Sequence, residues 1–185
     1  SSTDQHFTGK LHRMAIFRDK ELSDSEVTEL YNSGKAWEIK QAATYSDMLS
    51  YFKLDSISPS DVKSSSTVAS SAGLSVSTPG SSGSSTLDIV QDEDRSFTIA
   101  FWYKKDSTSS TGRILGKWGT NAATREYKVT QNARKLRLFL RDNTGTDNQA
   151  VETMFESGGD VLSNSTNVWE HVVIAYHRET EKTAF

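Results

Sequence analysis

Apolar and polar side chains alternate along this chain in short runs separated by polar turns, the period-two signature of half-buried strands. Residues 96–104 (SFTIAFWYK) put Phe97, Ile99 and Phe101 on one face and Trp102 on the other. Residues 135–141 alternate Leu136, Leu138 and Leu140 with Arg137 and Phe139. With residues 126–130 they predict a hairpin turning around 131–134. Residues 169–177 (WEHVVIAYH) carry Val172, Ile174 and Tyr176 on one face. Further strands are read at 9–17 (GKLHRMAIF, loosely alternating), 74–77 and 112–118. A last one at 48–54 (MLSYFKL) has Leu49, Tyr51 and Lys53 on one side. Short strands at this spacing, joined by polar turns, predict an all-β sandwich.

One segment departs from this rhythm. In ELSDSEVTELYNSG, Ser23 is a good N-cap and Glu26 follows three residues later, which makes a capping box. Val27, Leu30 and Tyr31 share a face, and Gly34 offers a left-handed stop. The pattern predicts one short helix near residues 24–33, too short to persist without docking on something larger. Residues 56–86 contain 17 Ser or Thr in 31 positions, with Pro59, Pro79 and three Gly. They read as a long surface loop interrupted by short strands, or as a flexible linker. The loop is preferred because periodic apolar residues resume at once afterwards.

Composition narrows the class. Four Trp, six Tyr and eight Phe can build a core, despite a mean hydropathy of -0.57. The formal charge is -3 and no basic stripe emerges, so nucleic-acid binding has no electrostatic footprint. Cysteine is absent, which removes disulfides, thiolate metal sites and Cys nucleophiles. No apolar run is long enough to span a membrane. The opening Ser1-Ser2-Thr3-Asp4 has neither a basic region nor an apolar core and reads as a cut into a longer polypeptide.

The order SFTIAFWYK, RILGKWG, YKVTQNARKLRLFL, NVWEHVVIAYHRETEKTAF resembles the central strands of laminin-G-like domains of the concanavalin A-like lectin/glucanase superfamily. The resemblance implies a jelly-roll β-sandwich. FTGKLHRMAIFRDKELSDSEVTELYNSGK is similar to the closing strand and helix of the same family, yet it precedes the opening strand MLSYFKLDS. The expected organisation is therefore tandem: residues 1–44 close one laminin-G-like domain and lead through a connector into 45–185, the first part of a second. The alternative is a circular permutation in which residues 1–34 complete the same sandwich.

Candidate chemistry is sparse. Glucanases of this superfamily carry an E-x-D-x-x-E strand whose paired carboxylates act on the glycosidic bond, and nothing here matches it. Asp92-Glu93-Asp94 and Glu179-Thr180-Glu181 read as solvated turns. His171 and His177 share a strand face but stand about 20 Å apart by strand rise, too far to chelate one ion. Calcium is implied by the family, and Asp142, Asn143 and Asp147 are its candidate ligands, although the loop also reads as an Asn/Gly turn. Stacking on a sugar needs an exposed aromatic with polar neighbours. Trp118, with Asn121 close by, is the leading candidate and Trp37 the second, whereas Trp102 and Trp169 lie within strands and are expected in the core. The sequence thus predicts a non-catalytic module in an extracellular or virion-surface array, binding glycans or a host-cell surface and contacting neighbouring repeats or itself. A purely structural repeat is the alternative, and a glycoside hydrolase lacks its carboxylates.

Overall fold

A computed structural model describes residues 9–32, 42–52, 54, 68–69, 75–76, 96–106, 111–118, 125–141 and 152–185. Eleven strands occur among them: β1 (Gly9–Arg18), β2 (Met48–Phe52), β3 (Val68–Ala69), β4 (Ser75–Val76), β5 (Phe97–Lys105), β6 (Thr111–Trp118), β7 (Arg125–Asn132), β8 (Lys135–Arg141), β9 (Glu152–Glu156), β10 (Glu170–His177) and β11 (Lys182–Ala184). Helix α1 spans Asp24–Tyr31, and a 3-10 turn spans Ala43–Asp47. One antiparallel sheet runs β11-β10-β5-β1-β2 and a second runs β6-β7-β8-β9, while β3 and β4 pair with each other.

The two large sheets close on one core. Phe97, Ile99, Phe101, Tyr103, Val172, Ile174 and Tyr176 face Tyr127, Val129, Leu136, Leu138 and Leu140. All but Tyr103, Tyr127 and Val129 are positions that the alternation singles out. A polar link crosses this apolar layer: Tyr103 Oη donates to Gln131 Oε1 at 2.5 Å, and Gln131 Nε2 donates to the Ala133 carbonyl at 2.7 Å. Such a buried pair costs little only while every member is satisfied.

Two register shifts explain where the alternation reads loosely. In β1, His12 faces Trp102 and Ala15 faces Ala100, so Arg13 and Met14 together oppose Phe101. This β-bulge places Arg13 in the left-handed region (φ 52°) and reverses the phase of the strand. Leu11, Met14 and Ile16 consequently face the sandwich core, and Ala15 and Phe17 face the helix. In β2, Ser50 opposes Ile16 and Met48 opposes Phe17, which makes Leu49 an extra residue. Leu49 packs against the sandwich core while Tyr51 packs under α1, so the expected shared face for those two side chains is corrected.

Helix α1 lies on the outer face of the five-stranded sheet. Leu30 and Val27 meet Ala15, Phe17, Tyr51 and Ala100 there. The capping box forms as expected: the Glu26 amide donates to Ser23 Oγ (3.4 Å) and the Ser23 amide to Glu26 Oε2 (2.8 Å). Lys20 bridges Glu26 and Asp47, both at 2.6 Å, which ties the helix start to the 3-10 turn. Hydrogen bonds from Lys20 hold the Glu26 carboxyl at about 2. The helix stops on Asn32 in the left-handed conformation, whose amide returns to the Thr28 carbonyl; Gly34 lies outside the described residues.

Strand β1 sits between β2 and β5, paired with both. The segments that the sequence assigns to two successive units are hydrogen-bonded neighbours in this sheet.

Candidate functional site

The outer face of the four-stranded sheet is organised in cross-strand rows. Gly116, Lys128, Phe139 and Met154 oppose one another across β6, β7, β8 and β9. Trp118, half-buried at the end of β6, meets Phe139 edge-on with ring centroids 6.5 Å apart. Lys128 Nζ stands 4.0 Å from the Trp118 centroid and 4.2 Å from that of Phe139, with the Arg125 guanidinium 5.6 Å from the indole. Each ring presents its negative quadrupole to a cation, which fixes the ring orientation. Gly116 makes this arrangement possible, because a Cβ there would lie 2.6 Å from the Tyr127 carbonyl and 2.7 Å from Lys128 Cα.

Charged neighbours frame the row. Arg113, Thr130, Arg137 and Glu156 form the adjacent one. Arg137 and Lys135 both bind Glu156 and hold its carboxyl below the usual carboxylate range. Glu126 is fully buried within the register shift between Lys117 and Trp118, and it forms an ion pair with Lys117. The result is an apolar strip of Trp118, Phe139 and exposed Met154, rimmed by hydrogen-bonding cations. A pyranose ring has a matching form: one apolar face, with hydroxyls around it.

Of the residues the sequence proposed, the structure places Trp118. Trp37, Asn121, Asp142, Asn143 and Asp147 lie outside the described residues, as do Asp92 and Asp94. Among the described residues, no group of three or more His, Asp and Glu side chains could hold a metal ion. Glu181 ion-pairs with Arg178 at 3.2 Å in the turn before β11.

The five-stranded sheet carries a second aromatic surface. Helix α1 covers only part of the five-stranded sheet, and Tyr31 at its end stacks on Trp102 (5.7 Å, 20°). Trp102 is buried by this contact on the outer face of the sheet rather than in the sandwich core. His171 lies 5.1 Å from Trp102 and 6.0 Å from Tyr31. Beyond it, Trp169 is 42% exposed instead of buried, 6.0 Å from His12 and under Lys104 Nζ at 5.5 Å. The sequence places Trp102 and Trp169 within strands but carries no sign that a helix lands beside Trp102.

Burial among these rings pushes the His171 imidazole down to about 4. The folded state thus stays neutral while the unfolded chain takes up a proton near the ordinary value of about 6.5. Stability is therefore full above about pH 6.5 and is lost as pH falls towards 4, by about 3 kcal/mol. Thermal melts between pH 7.5 and 4.5 should show this decline in the native protein and a flatter profile in His171→Gln. An equal slope in both would remove His171 as the source.

Residues 79–185 match the family model of the concanavalin A-like lectin/glucanases superfamily in its laminin-G-like form. No curated protein and no solved structure matches the chain. The matched stretch is more than half of the chain and carries β5 to β11, including both layers of the core. The alternating strands, the two antiparallel sheets and this match agree: the chain belongs to the concanavalin A-like lectin/glucanase superfamily, as a laminin-G-like domain.

Proposed function

We propose that this domain is a non-catalytic carbohydrate-binding module that takes saccharides on the outer face of its four-stranded sheet. The observation that carries the reading is the Trp118–Phe139–Met154 strip, held rigid by Lys128 and bordered by Arg125. A preformed aromatic surface loses little conformational entropy on binding, and the ammonium and guanidinium donors can reach ring hydroxyls. Asn121, three residues after Trp118, is proposed to add an amide to the same rim, and Trp37 a further ring. Asp142, Asn143 and Asp147 are proposed as a calcium-binding loop. The absence of an E-x-D-x-x-E strand supports binding without hydrolysis.

Membership in a laminin-G-like family supports an extracellular setting. Within it we read the chain as part of a tandem array on a cell or virion surface. The support is the resemblance of the first 34 residues to a closing strand and helix.

Glycan-array screening followed by calorimetry tests the reading. The native domain should bind one saccharide class and release it chemically intact. Trp118→Ala should weaken binding about ten-fold or more, the scale of one lost aromatic contact. Failure to bind any saccharide would favour a purely structural repeat, and cleavage of the glycan would restore the hydrolase reading.

A further inference from the structure

Sulfur is scarce in this chain and unevenly placed. There is no cysteine, and there are three methionines. Met14 faces the sandwich core and is 5% exposed, and Met48 lies under α1 and is 3% exposed. Met154 is 49% exposed. It sits in the middle of β9, the edge strand of the four-stranded sheet, whose open side pairs with no strand among the described residues. Its neighbour Phe155 packs against the sandwich core, which leaves Met154 on the outer face, opposite Phe139 in the ladder.

This placement has a chemical consequence. Cysteine thiolates and methionine thioethers are the side chains that climb the oxidation ladder. With no thiol to consume the oxidant and the other thioethers shut into the core, a hydroperoxide meets one accessible sulfur. The thioether sulfur attacks a peroxide oxygen, so that an S–O bond forms as the O–O bond breaks. The departing hydroxide takes the proton of the transferred hydroxyl and leaves as water; sulfur is oxidised and the peroxide is reduced. The sulfoxide is polar, and its oxygen demands hydrogen bonds that the thioether did not.

Met154 is also the third apolar member of the strip that begins with Trp118 and Phe139. A pyranose laid on that strip would remove water from the sulfoxide oxygen and return little, because its hydroxyls point to the rim. Trp118 and Phe139 are unchanged and stay under Lys128, so the loss is partial. We propose that Met154 is a reversible oxidation site whose sulfoxide weakens saccharide binding on the Trp118 strip. The inference rests on the saccharide reading of that strip and adds its regulation.

Dilute hydrogen peroxide applied to the native chain, followed by peptide mapping and calorimetry with cellohexaose, mannohexaose and xylohexaose, tests the proposal. Met154 should be recovered as sulfoxide while Met14 and Met48 stay reduced until urea exposes them. The hexaose that the untreated chain binds should be held about three- to ten-fold more weakly after oxidation. The two epimer-specific methionine sulfoxide reductases should restore the affinity. Met154→Gln, a polar mimic, should show the weakened binding without oxidant, and the affinity of Met154→Leu should not respond to peroxide. An unchanged near-UV circular dichroism spectrum confirms that oxidation leaves the fold intact. Oxidation of Met14 or Met48 as fast as Met154 overturns the proposal, as does an equal loss of affinity in peroxide-treated Met154→Leu. Equal affinity of oxidised and untreated chains overturns the switch and leaves the saccharide site standing. Failure of the untreated chain to bind any of the three hexaoses removes both.

Discussion

Gly116→Ala is expected to lower stability by about 3–5 kcal/mol, the sum of backbone strain and overpacking. Gly116 has φ 154°, outside the range that a side-chain-bearing residue adopts readily. A Cβ there would lie 2.6 Å from the Tyr127 carbonyl oxygen, 2.7 Å from Lys128 Cα and 2.9 Å from Lys128 Cβ. Two of these atoms are backbone of the paired strand, so relief requires β6 and β7 to separate. That would disturb the ladder beside Trp118 as well as the lysine that orients it. Urea unfolding should show a lower midpoint with little change in slope. Gly158 is the control, because a Cβ there meets nothing within 4 Å and Gly158→Ala should stay within about 0.5 kcal/mol of the native protein. Equal stability of the two variants would contradict the close β6–β7 approach.

Phe101→Ala carries the other large effect, about 4 kcal/mol. Phe101 is fully buried in β5, the strand flanked by β10 on one side and β1 on the other. It faces Val172 on β10 and the two-residue bulge of β1. Its ring fills the layer between the sheets, and the surrounding side chains are held by strands that cannot collapse into the gap. A loss below about 1.5 kcal/mol in denaturant unfolding would mean that the core closes around the deletion. Since domains of this kind are stable by about 5–15 kcal/mol, either substitution removes a large part of the margin.

These effects also mark what the sequence could and could not disclose. SFTIAFW, KLRLFL and VVIAY are legible because an antiparallel strand with one face against the core alternates cleanly. GKLHRMAIF is less so, since Arg13 takes the left-handed conformation without being Gly or Asn, and everything after it changes sides. The same holds for Leu49, whose bulge turns Tyr51 towards the helix. No strand is read from the sequence at 152–156, because β9 is a short edge strand with an exposed Met154 between acidic ends. Trp118 is legible as an aromatic at a strand end before Gly119. The Lys128 that covers it is not, because that contact arises from register. The Tyr31–Trp102–His171 stack joins three elements separated by about 70 residues at each step, and no local pattern encodes it.

The position of β1 between β2 and β5 also bears on the order in which the chain can assemble. Its nearest pair with β5, Arg18 with Phe97, spans 97 − 18 = 79 residues. A ribosome adding roughly 5–20 residues per second makes β5 some 4–16 s after β1 has emerged. Through that interval one hydrogen-bonding side of an apolar strand has no cognate partner from its own chain. The sheet's middle is thus completed late in synthesis, with a high contact order and slow closure. Nascent chains crowded on one messenger would have time to exchange this strand before each finds its own.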